Sequence, residues 1–122
     1  MTTIDQATYF RRLEAAMSEK DLMQAVREIA EALGYKVMHQ LNSIGTTPGW
    51  PDLVMVRRDR LVIRELKATR GRVTEAQRAW LAALEETGAD VGVWRPTDLL
   101  DGSVLLYLNA DHIPPKPSWG VR

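Results

Sequence analysis

The stretch that decides the fold covers residues 49–77 and contains two apolar runs joined by charged residues. The first run is Gly49-Trp50-Pro51-Asp52-Leu53-Val54-Met55-Val56, and the second is Leu61-Val62-Ile63-Arg64-Glu65-Leu66-Lys67. Both are rich in β-branched residues, which favour strands. The link Arg57-Arg58-Asp59-Arg60 suits a hairpin turn. The segment Gly71-Arg72-Val73-Thr74-Glu75-Ala76-Gln77 then predicts a loop and the start of a helix.

Three polar side chains of this hairpin are predicted to meet at one rim of the sheet. Side chains alternate along a strand, so Glu65 and Lys67 share one face. If the turn centres on the charged link, Asp52 at the start of the first strand lies near both residues at the end of the second. Two carboxylates and an ammonium group then converge.

Such a group of side chains has a chemical use. Magnesium prefers oxygen ligands and often combines one or two carboxylates with water and substrate phosphates. A lysine beside the ion can orient the attacking water and offset charge on a phosphate. Asp52, Glu65 and Lys67 fit these roles in phosphodiester hydrolysis. The alternative is that Glu65 and Lys67 form an ordinary surface ion pair, which is common and weak, and that Asp52 only forms the turn after Pro51.

The order of these residues resembles a known superfamily. Pro51-Asp52 is followed by Glu65-Leu66-Lys67, and then by Gly71 and Gln77. This pattern resembles the PD-(D/E)xK nucleases, and within them it is most similar to the VRR-NUC domains, over residues 18–95.

The resemblance implies a fold, an activity and a set of site residues. The fold is an α/β restriction-endonuclease-like mixed sheet of four or five strands flanked by helices. The activity is metal-dependent hydrolysis of DNA, with Asp52, Glu65, Lys67 and Gln77 as catalytic residues. Mg²⁺ or Mn²⁺ is held by Asp52, Glu65, the backbone carbonyl of Leu66, and Glu19. Because short members of the family look like homodimers that act on branched DNA such as four-way (Holliday) junctions, the resemblance implies the same for this chain.

Two other classes of function stay open. One is a nucleic-acid-binding module that keeps the fold without the chemistry, and the other is a structural or interaction domain of a larger assembly. Binding of DNA without metal-dependent cleavage would indicate the first class, and neither binding nor cleavage would indicate the second.

Length and composition bound the domain organisation. A chain of 122 residues with 45% hydrophobic content fits one domain. The absence of cysteine excludes disulfides and cysteine-ligated zinc, and no apolar run approaches the roughly eighteen residues of a membrane helix. We expect one soluble, cytoplasmic nuclease domain over residues 1–122, associated with the nucleoid if the source is bacterial or phage. It has an N-terminal helix in residues 1–17, a nuclease core in residues 18–95 and an extended tail in residues 113–122.

The charge is unevenly distributed. The net charge is zero, but basic residues outnumber acidic ones between positions 57 and 78. Basic side chains near a metal site suit the positioning of a phosphate backbone, although an ordinary solvated hairpin has the same composition. The predicted DNA contacts are Arg57, Arg58, Arg60, Arg70, Arg72 and Arg78.

The remaining segments predict helices and strands around the hairpin. A first helix over residues 3–17 has apolar residues at helical spacing, and a second is expected from the Ser18 cap to the Gly34 stop. Strands are predicted at residues 35–41 and 90–95, the latter in the centre of the sheet. A helix follows the Thr74 cap, and residues 104–108 are a candidate edge strand.

Three residues have two interpretations each. Glu19 lies on the apolar stripe of its helix, where an acid suits either the helix dipole or the metal site implied by the resemblance. Gln77 fits a capping box with Thr74 or a place in the active site. Trp50 packs in the core or an interface, or stacks on substrate. The candidates for a dimer interface are Tyr9, Phe10, Trp50 and Trp119.

Overall fold

The computed structural model describes residues 4–40 and 47–110. The predicted tail at 113–122, including Trp119, lies outside these residues. The described part contains five helices and four strands. In chain order they are α1 (Gln6–Ala16), α2 (Glu19–Ala32), β1 (Lys36–His39), β2 (Leu53–Arg57), β3 (Arg60–Leu66), α3 (Glu75–Glu86), β4 (Asp90–Trp94), α4 (Pro96–Leu100) and α5 (Ser103–Asn109).

The strands form one mixed sheet in the order β1-β2-β3-β4. The first three strands are antiparallel, and β4 runs parallel to β3. The predicted α/β fold, a mixed sheet flanked by helices, is confirmed. The central place predicted for β4 is wrong, because in the described part of the chain it pairs with β3 alone. Its apolar side chains are buried because helices cover both faces of the sheet at this strand.

The β2–β3 hairpin has the predicted register. Leu53 pairs with Arg64 and Arg57 pairs with Arg60, so that Arg58 and Asp59 form the turn. Arg58 adopts the left-handed conformation with φ 55°. Continuing this register by one residue places Asp52 opposite Glu65.

Each face of the sheet has its own apolar core. On one face Val62 and Leu66 of β3 pack with Leu22 and Val26 of α2. On the other, Ile63 packs with Leu81 of α3, together with Val91 and Val93 of β4. Burying one such side chain contributes about 1.5–3 kcal/mol. Because side chains alternate, Glu65 and Lys67 share the α3 face with Ile63.

The helix signals in the sequence match the structure closely. Ser18 and Asp21 form a reciprocal capping box at the start of α2, and Thr74 and Gln77 form another at the start of α3. Gly34 follows α2 with φ 91°. No helix in residues 4–40 or 47–110 is both long enough and apolar enough to cross a membrane.

The predicted edge strand at residues 104–108 is wrong, because this segment belongs to α5. Val104, Tyr107 and Leu108 are buried, whereas Leu105 and Leu106 are 48% and 73% exposed. Burial at positions i, i+3 and i+4 is the pattern of a helix. The segment is apolar at every position, so its periodicity cannot distinguish a strand from a helix.

Gly49 lies in the segment before β2 and directly contacts the start of α3. Its φ is +90°, and a Cβ at this position would lie 2.5 Å from both the carbonyl carbon and the carbonyl oxygen of Ala76. The next residue, Trp50, packs edge-on against Trp80 of α3, with ring centroids 5.1 Å apart. Glycine is therefore required here for conformation and for close approach.

We expect Gly49→Ala to destabilise the protein more than Gly88→Ala does. Gly88 has a similar φ of +85° but nothing within 4 Å of an added Cβ, so its variant carries only the strain of the left-handed conformation, about 1–2 kcal/mol. Gly49→Ala adds a backbone clash. Urea denaturation measures both losses in the free energy of unfolding, and equal losses would contradict the predicted contact.

Candidate active site

Asp52 and Glu65 face each other at the end of the β2–β3 hairpin. The register that pairs Leu53 with Arg64 brings the two carboxylates to the same face and the same rim. Asp52 Oδ2 accepts a hydrogen bond of 2.9 Å from the backbone N–H of Leu66. This bond fixes the Asp52 carboxylate beside Leu66, the residue whose carbonyl is predicted to bind metal.

Lys67 and Gln77 both contact Glu65. Lys67 Nζ lies 3.5 Å from Glu65 Oε2, and Gln77 Nε2 donates a 2.9 Å hydrogen bond to the same oxygen. The side chains of Lys67 and Glu65 are only 9% and 2% exposed, so the pair is not the solvated surface ion pair considered as an alternative. The structure thus brings all four predicted catalytic residues together.

The electrostatics of the site disfavour a charged Glu65. Burial and the nearby negative charge of Asp52 raise the pKa of Glu65 to about 8, against the opposing effect of Lys67. Its Oε1 is buried and has no hydrogen-bond partner in the part of the chain that the structure describes. A protonated carboxyl at neutral pH beside a carboxylate is the state expected of two acids that share one place without a cation.

A hard divalent cation fits this arrangement. It would offset the repulsion between Asp52 and Glu65 and give Glu65 Oε1 the partner that it lacks. Within the described residues no three histidine or acidic side chains cluster as a metal site. The donors at hand are two carboxylates and the Leu66 carbonyl, a set suited to an ion that also keeps water and substrate oxygens.

Gln77 forms the predicted capping box and contacts Glu65 at the same time. Gln77 Oε1 accepts from the backbone N–H of Thr74 at 2.9 Å, and the Thr74 hydroxyl accepts from Gln77 N at 3.2 Å. The other end of the same amide group donates to Glu65. The Gln77 side chain therefore caps the start of α3 at one end and contacts Glu65 at the other.

Glu19 does not join Asp52 and Glu65 in a three-carboxylate group within the described residues. It is the first residue of α2, and the whole first turn, residues 18–21, is exposed. The buried stripe begins at Leu22, so the prediction that Glu19 continues it is wrong. Its role at a metal site stays a prediction.

Three of the six arginines predicted to contact DNA lie far from the site. Arg57 donates to the carbonyls of Leu33 and Ala110, at 3.1 and 3.0 Å. Arg60 is 4% exposed and donates to the Tyr107 carbonyl at 2.8 Å. Both cations contact carbonyls at helix C-termini, where positive charge is favourable.

The prediction of DNA contact is therefore wrong for Arg60, and Arg57 is also occupied within the protein. Arg58 is exposed, but it lies in the hairpin turn. At about 3.3 Å per residue along a strand, the turn is roughly 20 Å from Asp52. The other three, Arg70, Arg72 and Arg78, are exposed and belong to the loop and the helix start beside the site.

Two residues near the site, Arg95 and Trp80, have contacts that the sequence does not predict. Arg95 Nη1 donates to the carbonyls of Ala68 and Gly71, at 2.8 Å each, and so holds the loop after Lys67. Trp80 packs against Trp50, which favours the packing interpretation of Trp50. Neither residue has a local signal, because each contact depends on how distant segments meet.

The raised pKa of Glu65 makes the stability of the metal-free protein depend on pH. The folded state holds this proton more tightly than the unfolded chain, so stability from this group is full below about pH 4.5 and is lost as pH rises to about 8. We expect Glu65→Gln to remove this loss. The measurement is the urea midpoint in chelator at several pH values, with the exposed Glu86→Gln as control. Parallel curves for wild type and Glu65→Gln would contradict the raised pKa.

Comparison with known proteins agrees with the fold. A family model described as the VRR-NUC domain matches residues 3–97. No curated protein and no solved structure matches the chain significantly. VRR-NUC domains are nuclease-type domains of the PD-(D/E)xK superfamily, and the four-stranded mixed sheet is consistent with a restriction-endonuclease-like fold. Because the family model covers most of its length, the chain belongs to the VRR-NUC family.

Proposed function

We propose that the protein is a metal-dependent endonuclease that hydrolyses DNA phosphodiester bonds. One observation carries the proposal: Asp52 and Glu65 face each other across the hairpin, with Lys67 Nζ 3.5 Å from Glu65 Oε2. These are the residue types that this hydrolysis needs. Glu65 and Lys67 are buried, and Asp52 is half-buried beside them at the rim of the sheet.

Asp52, Glu65 and the Leu66 carbonyl would hold Mg²⁺ or Mn²⁺. When bound, the ion would supply Lewis-acid activation of water and of the phosphate. The unpartnered Oε1 of Glu65 and the crowding of two carboxylates support this assignment. Glu19, exposed in the first turn of α2, is a further proposed ligand through water or after a change of its side-chain rotamer.

Lys67 and Gln77 act on the reacting groups in different ways. The ammonium group of Lys67 can orient the attacking water and offset negative charge that develops on the phosphate. Its buried setting strengthens that effect, because the local dielectric constant is low. Gln77 fixes the rotamer of Glu65 through its 2.9 Å hydrogen bond.

DNA would approach over the loop of residues 67–74, which contains Gly71 and is called the glycine loop below, and over the start of α3. The exposed Arg70, Arg72 and Arg78 lie there and can contact phosphates on either side of the cleaved bond. Such contacts position the backbone without reading sequence.

We further propose that the enzyme is a homodimer selective for branched DNA. Two-fold symmetry would place two sites on symmetric strands of a four-way junction. Exposed apolar side chains support association: Tyr9 is 55% exposed. Met38, Val56 and Leu61 are 59%, 41% and 47% exposed on the sheet face that α3 covers in part. We call these three residues the apolar strip.

The first test concerns the catalytic residues. We expect Asp52→Asn, Glu65→Gln and Lys67→Met each to lower the cleavage rate by about 100-fold or more, with the fold retained. Matched controls at exposed positions are Asp59→Asn, Glu86→Gln and Lys36→Met, which should cleave like wild type. The assay uses labelled DNA with Mg²⁺, Mn²⁺, Ca²⁺ or chelator.

The outcome separates the proposed function from its alternatives. Normal turnover by a folded site variant would remove that residue from the mechanism. Binding of DNA by wild type without cleavage under any metal condition would indicate a non-catalytic module instead.

The arginine assignments predict a difference in salt dependence. We expect the double variant Arg70→Gln/Arg72→Gln to bind DNA more weakly and to lower the slope of log K against log salt by about one for each phosphate that the protein no longer neutralises. Arg58→Gln, at the far end of the hairpin, should leave the slope unchanged. The measurement is fluorescence anisotropy on labelled duplex across a salt series, and an equal effect of Arg58→Gln would contradict the proposed DNA path.

The assembly proposal predicts a dimer and paired incisions. Light scattering at micromolar concentration should give twice the chain mass, and Leu61→Lys in the apolar strip should shift it toward monomer. Leu106→Lys, at an exposed position of α5, is the matched control. We expect stronger cutting of a four-way junction than of linear duplex. A wild-type monomer that cuts both substrates equally would contradict both parts.

A further inference from the structure

Arg95 directly follows β4, at the point where the parallel strands β3 and β4 end side by side. Leu66 at the end of β3 pairs with Trp94 at the end of β4, and Lys67 N donates to the Trp94 carbonyl at 3.1 Å. The backbone of Arg95 therefore lies beside the backbone of Lys67. The backbone N–H of Arg95 donates to Asp98 Oδ2 at 2.7 Å. This bond fixes the backbone position from which the Arg95 side chain extends.

The side chain of Arg95 reaches the carbonyl oxygens of the loop after β3. Its Nη1 donates to Ala68 O and Gly71 O at 2.8 Å each, and lies 3.4 Å from Thr69 O. A guanidinium group has only donors, so it suits three carbonyl oxygens that point toward one place. Without that cation the carbonyls of Thr69 and Gly71 would lose this donor, whereas Ala68 O would keep its hydrogen bond from Gly71 N.

This loop packs against the side chain of Lys67. The turn is closed by a 2.9 Å hydrogen bond from Gly71 N to Ala68 O. A Cβ on Gly71 would lie 3.4 Å from Lys67 Cδ, so the glycine backbone lies close to the aliphatic part of the lysine. A second contact, from Thr69 Oγ1 to the Glu14 carbonyl at 3.0 Å, holds the loop from α1.

We propose that Arg95 is a positioning residue of the active site. By holding the carbonyls of Ala68 and Gly71, it keeps the glycine loop against Lys67, and the ammonium group of Lys67 beside Glu65. The inference rests on the proposed function, since it gives Arg95 a role through Lys67. It assigns Arg95 no contact with DNA or metal.

The test compares Arg95→Met and Arg95→Lys with Arg58→Met, which removes an exposed arginine far from the site. Four quantities are measured on the full chain: kcat and KM on labelled DNA at saturating Mg²⁺, Mg²⁺ affinity by calorimetry, amide hydrogen exchange at Gly71, and the NMR signal of Lys67 Cε.

For Arg95→Met we expect kcat to fall by about 100-fold, the scale for a reacting group misplaced by about 1 Å. KM for DNA and the Mg²⁺ affinity should stay at the wild-type values, because Asp52 and Glu65 are held by β2 and β3. Exchange at Gly71 should become faster and the Lys67 Cε signal should shift. Arg95→Lys should restore part of kcat, because an ammonium group can reach fewer carbonyls than a guanidinium group, and Arg58→Met should match wild type.

Two results would overturn the proposal. A rise in KM with unchanged kcat, together with a smaller salt dependence, would make Arg95 a DNA contact. A lower melting temperature with unchanged kcat, Gly71 exchange and Lys67 Cε signal would make it an ordinary structural residue. If Arg95→Met does not fold, the same readings on Arg95→Lys decide between these results.

The design also separates this inference from the proposed function. If the wild-type protein cleaves no DNA with any divalent ion, the proposed function fails. Gly71 exchange and the Lys67 Cε signal still report whether Arg95 controls the loop and the lysine, because neither needs turnover. If both are unchanged in Arg95→Met, the inference fails whatever the activity of wild type.

Discussion

The register of the β2–β3 hairpin is the constraint on which the rest of the site depends. Pairing of Leu53 with Arg64 sets Asp52 opposite Glu65, and the bond from Leu66 N to Asp52 Oδ2 fixes this end of the ladder. A slip of one residue would turn the Glu65 and Lys67 side chains to the opposite face of the sheet. The two apolar cores prevent such a slip, because it would also exchange Val62 and Ile63 between their faces.

The site combines groups that do not stabilise one another fully. Glu65 is buried near a second carboxylate, and the nearby ammonium group does not restore its ordinary pKa. Buried polar groups with incomplete partners are costly, and they are retained in proteins mostly where they have a function. The well-packed cores on both sheet faces hold this unfavourable group of charges in place.

Much of the fold follows from local signals in the sequence. The hairpin and the caps at Ser18 and Thr74 each depend on a few neighbouring residues, so the chain alone predicts them. The helical identity of α5 does not, because every residue of its central segment is apolar and only packing against the sheet selects a period. The edge position of β4 is likewise a property of the assembled sheet.

The site shows the same division. Asp52, Glu65 and Lys67 are predicted to meet because strand alternation and the turn position fix their geometry. Gln77 is placed with them by the resemblance to the VRR-NUC domains. The arginine contacts are predicted from composition alone, and composition does not say which end of a hairpin faces the site or which guanidinium groups bind helix carbonyls. Arg57 and Arg60 do the latter. The position of Arg95 near Lys67 could not be predicted, because it depends on the parallel pairing of the ends of β3 and β4.

The double contact of Gln77 restricts which residue position 77 accepts. Capping boxes accept glutamate or glutamine at the third helical position, and glutamate would also favour the positive end of the α3 dipole. Here the other end of the side chain must donate to Glu65 Oε2, which a carboxylate cannot do. A glutamate would also bring a third negative group to a pair that already repels. Helix preference alone permits either residue, and the chemistry of the neighbouring strand leaves only the amide.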